Sequence, residues 1–426
     1  MYLRVERDKF GQALVRIVNT LGIAGIEDED FPSNDAQKQN QAALGALEQL
    51  DQYQNDIRQG YSRAMACSSV SVHGKASASD AGYADRLCQH NDQVSRYNAD
   101  CRGCDCNRSE GKVLILATIH DTFPKPLVSR HFWISFADFE TTLAFRRQVC
   151  LDNPTDLPTS LEYMDRDSFD VIDQSGRVLA NVIRLVGASS GLVAGLWKVK
   201  LWIEALLGGN LWCDRVLYAL NPLFPPVLPG RVVEAGRRLD HHVAMSVSEF
   251  GNGSMERLLD RMQAFASQHG RDKIVIEECS KKSEAASLTG FRFVAAPSFR
   301  TWCVGTGAQG ISVDYALPKN KGQAPINSSK PLKRMRYSHF GCNVVHEDLA
   351  FGTDVNVHDA KMEPKRVVEQ EYGGKLPAEH GHGIEYKAPC ETQERWKKMD
   401  PENVMKPWDW GPKLQQAIST VNMCCV

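Results

Sequence analysis

The sequence has no charge-free apolar run of about 18 residues, so no helix is expected to span a bilayer. Its first ten residues, MYLRVERDKF, lack the basic, then apolar, then small-residue order of a secretory leader. It has no strong charge of either sign. Fifty Lys and Arg stand against 52 Asp and Glu, a net charge of −2, and so there is no global electrostatic case for binding nucleic acid. A Walker-type loop is missing, and neither hydride nor acyl transfer can be assigned from a short loop motif. No fixed-period repeat is present, which excludes a solenoid. The 13 cysteines are scattered and odd in number, unlike a small disulfide framework, and point to a reducing compartment. Only CRGCDC groups three of them, Cys101, Cys104 and Cys106. Tetrahedral zinc needs four ligands and no second pair lies near, so a surface loop with incidental thiols is the better reading.

What is present is a chain of 426 residues, 42% hydrophobic, long enough for two or three cores at about 100–200 residues per domain. LRVERD and ALVRIVN flank KFGQ and predict a hairpin over 1–22, with no partner strand nearby. Apolar spacing predicts a helix over 36–60, and the Ser/Ala/Gly-rich stretch 66–83 reads as a linker. KVLILATIH and HFWISF read as strands, followed by an amphipathic helix over 136–150. Further on come a helix over 255–269, a strand at KIVIEE and a polar linker over 318–332. Two strand-like stretches follow, MRYSHFGCNVVHED and GTDVNVHDA. Strand, strand, helix, the order over 112–150, suggests a mixed α+β layer.

Residues 183–228 are very apolar, with Leu196, Trp197, Leu201, Trp202, Leu206 and Trp212, yet Lys198, Lys200 and Glu204 interrupt them. Trp beside basic residues fits a segment lying in a membrane interface. A buried helix pair is the other reading, and the charges do not gather on one face as an interfacial helix requires.

Chemistry-bearing residues concentrate late in the chain. RYSHFGCNVVHE holds His339 and His346, and PAEHGHG holds Glu379 and His380. An odd separation points two residues of a flat strand to opposite faces, but a turn permitted by Gly341 and Asn343 would let both imidazoles converge. Three imidazoles and a carboxylate suit a divalent metal or acid–base work near neutral pH; satisfied structural histidines are the plainer alternative.

RYNAD, LEYMDRDSFD, PLFPPVLPGR, LDHHVAMSV, EECSKKSE, RFVAAPSFR, YSHFGCNVVHEDL, LPAEHGHGIEYKAP and DPENVMKPWDWG occur in this order. Together they resemble the C-terminal portion of the membrane-associated, FAD-dependent, quinone-reducing D-lactate dehydrogenases, of the vanillyl-alcohol-oxidase-type flavoproteins. The resemblance covers roughly residues 90–411. It implies an antiparallel-sheet cap with helices, interrupted by a helical membrane-binding insertion, and only a remnant of the flavin domain. The expected parts are a remnant hairpin of the FAD-binding domain (1–30), a partly helical insertion (31–110) and the first part of the cap (111–172). A membrane-binding insertion (173–248), the second part of the cap with the histidines (249–386) and a tail returning to the flavin domain (387–426) follow. The glycine-rich pyrophosphate turns are expected elsewhere, on a missing stretch or on a separate FAD-binding polypeptide.

The resemblance also implies roles. His380, beside Glu379, is expected to take the 2-hydroxyl proton of D-lactate or a similar 2-hydroxy acid, the hydride passing to FAD and the electrons to quinone. His339, His346 and Glu379 match the metal-ligating positions of the wider superfamily, where Zn or Mn would hold the substrate. Here Cys342, Asn343 and Val344 stand where that motif has Asp–Gly–Asn, so the metal is optional. Arg292 and Arg300 are candidates for the substrate carboxylate, Arg292 favoured, against a reading as surface arginines. The tail departs as well, with Lys406, Pro407 and Trp408 in place of the common Asn–Pro–Gly. For 183–228 the resemblance favours the interfacial reading. The eight Lys/Arg against five Asp/Glu over 171–240 fit an anionic membrane surface. The expected location is peripheral, on the cytoplasmic face of the inner membrane or on an organellar membrane. Two alternatives stay open: an inactive membrane-surface module, and a metal-dependent D-2-hydroxyacid dehydrogenase of the same superfamily.

Overall fold

The protein was analysed as a computed structural model describing residues 2–7, 10, 13–18, 45, 48, 82–97, 106–116, 124–186, 191–206, 211–323, 330–378, 382, 386 and 388–405. In chain order the first elements are β1 (Tyr2–Arg7), β2 (Ala13–Val18), α1 (Tyr83–Cys88), β3 (Leu114–Ile115), β4 (Val128–Phe136) and α2 (Phe139–Phe145). Next come β5 (Ser160–Asp165), α3 (Arg166–Ser175), α4 (Arg177–Val186), α5 (Gly191–Leu206), α6 (Trp212–Leu220) and α7 (Gly230–Arg238). They are followed by β6 (His241–Glu249), α8 (Ser254–His269), β7 (Ile274–Glu278), α9 (Lys282–Phe293) and α10 (Ala295–Thr306). The last are β8 (Gln309–Ala316), β9 (Lys333–His339), β10 (Val344–Phe351), α11 (Val357–Arg366) and α12 (Cys390–Met399).

The chain divides into two compact units. The first comprises 1–81, 98–123 and 379–426. Its expected hairpin is there, β1 against β2 from Tyr2↔Val18 to Arg7↔Ala13. It does have a partner strand, because β3 pairs with β1 to give the order β2-β1-β3. A small core of Tyr2, Val113, Ala388, Trp396 and Met399 belongs to this unit. Beside it Lys112 and Asp400 form a fully buried ion pair at 3.1 Å, as a buried charge requires a partner.

The second unit, 82–97 and 124–378, contains a seven-stranded sheet ordered β7-β4-β6-β5-β9-β10-β8, antiparallel throughout. The α+β, antiparallel-sheet class expected from the sequence is thus found. Strand alternation explains its two cores. Phe132, Ile134 and Phe136 of β4 and Val243, Met245 and Val247 of β6 face Phe145 of α2 and Leu258, Met262 and Phe265 of α8. Trp133 of β4, Met164 of β5 and Met335 and Tyr337 of β9 face the opposite way, onto α3, α4, α7, α9 and α10. Side-chain caps start two of the helices, Asp138 accepting from Thr141 N and Asp165 from Ser168 N.

Three expectations differ in detail. The helix over 136–150 begins at Phe139 and passes into a π-helical stretch, Arg146–Leu151. GTDVNVHDA is a turn leading into α11, because Asn356 caps the helix by accepting from His358 N; the alternation of Val355 and Val357 mimics a strand. Part of the polar stretch 318–332 is packed, Lys319 being buried with its N–H donating to Gln93 O. The expected linker 66–83 lies outside the described residues except at Gly82 and Tyr83, and the helix over 36–60 except at Gly45 and Glu48.

The apolar stretch is three helices, α4, α5 and α6. Lys200, Glu204 and Asp214 are turned inward, opposite to an ordinary surface helix, while Arg184, Lys198 and Arg215 are exposed. On α5, Leu196, Val199, Trp202 and Leu206 are exposed, the last two by 64% and 65%, while Glu204 is 7% exposed. Lys200 pairs with Asp214 of α6 at 3.0 Å and with Glu204 at 3.5 Å. Thr301 of α10 donates to Asp214 as well. Gly305 of α10 lets the Tyr218 ring of α6 approach closely; a Cβ there would stand 2.2 Å from it. Trp212, Val216, Leu220, Leu223 and Phe224 extend the exposed apolar surface.

Candidate active site

Directly opposed residues of an antiparallel pair share a face. His339 opposes Val344, and His346 lies two residues beyond Val344, so the four-residue turn 340–343 brings both imidazoles to one side. Their ring centroids are 5.4 Å apart, edge to face. Asn343 makes the turn with φ +61, in the left-handed region that Asn tolerates. Its side chain is fixed by Arg146, which donates to Oδ1 at 2.9 Å, and by its own donation to Pro318 O at 2.9 Å. Lys319 Nζ donates to Gly341 O. Burial and the neighbouring Arg146 charge push the Lys319 ammonium down to about 7.

The same register supplies each histidine with a carboxylate. Glu162 of β5 opposes His339, and its Oε1 accepts from His339 Nδ1 at 2.9 Å. Asp314 of β8 opposes His346, and Oδ1 lies 3.2 Å from His346 Nδ1, within ion-pair range but off hydrogen-bond alignment. Between them stands Tyr337, opposed to His346. Its hydroxyl donates to Asp348 Oδ2 at 2.9 Å, and Ser312 Oγ donates to Asp348 too. Burial raises the Asp348 carboxyl above its ordinary value. Burial also acts to raise Glu162, but the hydrogen bond from His339 and the Arg292 charge outweigh it, leaving that carboxyl below its ordinary value.

Arg292, at the end of α9, reaches this face. Its Nε donates to Glu162 Oε2 at 3.0 Å, and its guanidinium lies 4.7 Å from the centre of the Tyr337 ring. Arg300 does not join it. Val294 ends α9 and begins α10, and the change of direction sends Arg300 to the insertion, 3.2 Å from Asp214 and 3.8 Å from Glu204. Of the expected site residues the structure therefore brings His339, His346 and Arg292 together and places Arg300 elsewhere. Glu379 and His380 lie outside the described residues. The sequence reading did not single out Glu162, Asp314, Tyr337 or Asp348, although the first stands inside the quoted LEYMDRD.

The face offers hydrogen-bond acceptors or donors at two imidazole edges and a cation held over an aromatic ring, a combination suited to a small hydroxy acid. Among the described residues no three His, Cys, Asp or Glu are grouped to hold a metal ion. The two histidines alone do not make a divalent centre, and no step is assigned to a metal. For FAD, a glycine-rich helix start is present at Gly251–Asn252–Gly253, but Glu249 Oε1 already accepts from all three N–H groups at 2.6–2.9 Å. That turn does not fit a pyrophosphate.

The sequence model of the family described as "D-lactate dehydrogenase, membrane binding" matches residues 131–408. The quinone-dependent D-lactate dehydrogenase of Corynebacterium glutamicum is 28% identical over 333 residues, 75% of this chain and 57% of the relative. That of Escherichia coli is 27% identical over 331 residues, 74% of this chain and 56% of the relative. The chain thus spans just over half the length of these relatives. A solved 4-ethylphenol oxidase from Gulosibacter chungangensis, in complex with isoeugenol, covers 68% of this chain and 56% of its own at 12% identity. Its TM-score is 0.36, too low to argue from. On the match over 131–408, which takes in β5, β9, β10 and all the inside-out helices, the chain belongs to the membrane-binding D-lactate dehydrogenase family.

Proposed function

We propose that this chain supplies the cap and the membrane-docking helices of an FAD-dependent dehydrogenase that oxidises D-lactate, or a similar D-2-hydroxy acid, to the 2-oxo acid and passes the electrons to quinone. The observation that carries the reading is the convergence of His339, His346 and Arg292 on one sheet face in a member of this family. Arg292 has Nε engaged by Glu162, so its two Nη groups are the edge that would grip the substrate carboxylate. His339 and His346 would hydrogen-bond the 2-hydroxyl, and His380 would take its proton. FAD, when bound, supplies the acceptor for the C2 hydride; its cradle would come from protein beyond the described residues or from a separate polypeptide.

The exposed apolar face of α5 and α6 would rest in the headgroup region of an anionic membrane, where the quinone is dissolved. Among the described residues no helix is long and apolar enough to cross the bilayer, which fits peripheral attachment at the cytoplasmic face of the inner membrane or at an organellar membrane. The exposed face equally suits a lipid-docking module without catalysis. Reconstitution with FAD, and with any partner polypeptide, followed by dye reduction with D-lactate tests the reading. Turnover lost in His380→Ala supports it. Vesicle flotation with neither bound flavin nor turnover leaves only the docking module.

A further inference from the structure

We propose that Arg146 is a positioning residue of the histidine pair: its guanidinium ties the turn between β9 and β10 to the chain segment 317–321 and so sets the spacing of the two imidazoles. For its catalytic consequence the proposal rests on the 2-hydroxy-acid reading; for the spacing itself it does not. The turn decides where His346 points. Asn343 N donates to His339 O at 3.0 Å and closes the loop, so that Val344 opposes His339 and His346 follows on the same face. A slip of one residue would carry His346 to the other face. The conformation that prevents this is the left-handed one at Asn343, which is 2% exposed. Glycine would adopt it too, so the asparagine side chain has a further task. Arg146 can only donate, which orients the amide: Oδ1 accepts from Arg146 Nη1 at 2.9 Å and Nδ2 donates to Pro318 O at 2.9 Å. Leu317 N donates to Asn343 O at 3.0 Å, so the turn is held to the 317–321 segment by backbone as well.

Arg146 is an expensive way to fill this space. It opens the π-helical stretch that follows α2 and is 3% exposed. Its partners are all neutral: the Asn343 amide oxygen, Lys319 O at 3.1 Å from Nη2, and the Phe340 ring, 4.9 Å from centroid to guanidinium. Its Nε is buried without a hydrogen bond, and among the described residues no carboxylate pairs with it. Lys319, on Gly341 O, places a second buried cation at the same turn. A charge held inside without a counter-charge costs stability that an apolar side chain of similar length would not. What the planar fork supplies in return is a rigid bridge between two oxygens on separate segments. Two of the four turn residues, Phe340 and Asn343, are thereby fixed by one side chain. Arg146 has no printed contact with either imidazole and acts only through the turn.

The test is NMR of the full chain with 13C-labelled histidine, reading the nuclear Overhauser cross-peak between carbon-bound ring protons of His339 and His346. These protons are present in every protonation state. The two spin systems are assigned by their loss in His339→Gln and His346→Gln. The rings, 5.4 Å apart by centroid, should give the cross-peak in the wild type. In Arg146→Met it should weaken by about threefold or more, because the cross-peak falls steeply with distance, and Arg146→Lys, which can bridge less well, should lie between. Equal intensity in wild type and a folded Arg146→Met would overturn the proposal. Should that variant not fold, Asn343→Gly decides: it keeps the backbone conformation and removes the acceptor, so an undiminished cross-peak there would overturn the proposal as well. In the FAD-loaded holoenzyme with D-lactate, Arg146→Met should lower kcat per folded, flavin-loaded molecule by about a hundredfold, with KM changed little because Arg292 is untouched, and Arg146→Lys should recover part of kcat. A lowered melting temperature with that kcat unchanged would mean a structural role alone and would overturn it. A cross-peak that weakens as expected, in a protein that turns over no D-2-hydroxy acid, would keep the positioning role and sink the functional reading.

Discussion

His346 lies directly across the β9–β10 pair from Tyr337, their rings stacked with centroids 5.3 Å apart and 27° between planes. Arg292 contacts the same phenol ring. The ring is thus a platform whose height is set by the buried bond to Asp348. Tyr337→Phe should keep the stacking but leave Asp348 short of one donor, costing about 1–2 kcal/mol in urea unfolding. Tyr337→Leu should in addition weaken the grip of Arg292 on a 2-hydroxy acid, seen as a raised KM or a weaker Kd.

The inward-facing charges of α5 and α6, Lys200, Glu204 and Asp214, form a cluster with Arg300 of α10. Removing one carboxylate strands buried cations. Asp214→Ala is expected to destabilise the protein by about 3 kcal/mol, and Asp214→Glu by less, measured by thermal or urea denaturation.

The outward-facing residues give the opposite experiment. Trp202→Glu with Leu206→Glu touches no buried partner, so stability should change little. Partitioning onto anionic vesicles should fall by about tenfold or more, since each large apolar side chain withdrawn from lipid forfeits about 1.5–3 kcal/mol. Equal flotation of the double variant and the wild type would remove the membrane role from this surface.

Lys319 predicts a pH dependence. Its ammonium titrates near 10.5 when unfolded and at about 7 when folded. Between those values the unfolded chain binds a proton that the folded chain does not, so this residue makes stability rise with pH across the window. Lys319→Met should flatten the rise, measured by urea unfolding at about pH 7 and about pH 9.

Much of the architecture was legible in the sequence because it is local. Alternation marks β4, apolar spacing marks α8, and the residues permitting a turn between His339 and His346 stand next to one another. What could not be read depends on register between distant strands. Glu162 meets His339 only because β5 pairs with β9, 177 residues apart along the chain. Arg292 and Arg300 look equivalent in RFVAAPSFR, and only the break at Val294 separates their destinations. The charges of α5 obscure the reading of 183–228 for a related reason: Lys200 and Glu204 turn inward to partners on α6 and α10 while Lys198 is exposed, so the helix has no clean solvent face until its neighbours are known.

Because β5 and β6 are neighbours in the sheet, everything from α3 to α7 is, topologically, the connection of a single hairpin. The whole lipid-seeking excursion leaves and rejoins at adjacent strand ends, so its length is uncoupled from the pairing that aligns Glu162 with His339. A designer could shorten or exchange the stretch between α4 and α7 for a soluble bridge and expect the histidine row to keep its spacing. Natural chains of this lineage would be equally free to retune their anchorage without re-engineering their chemistry.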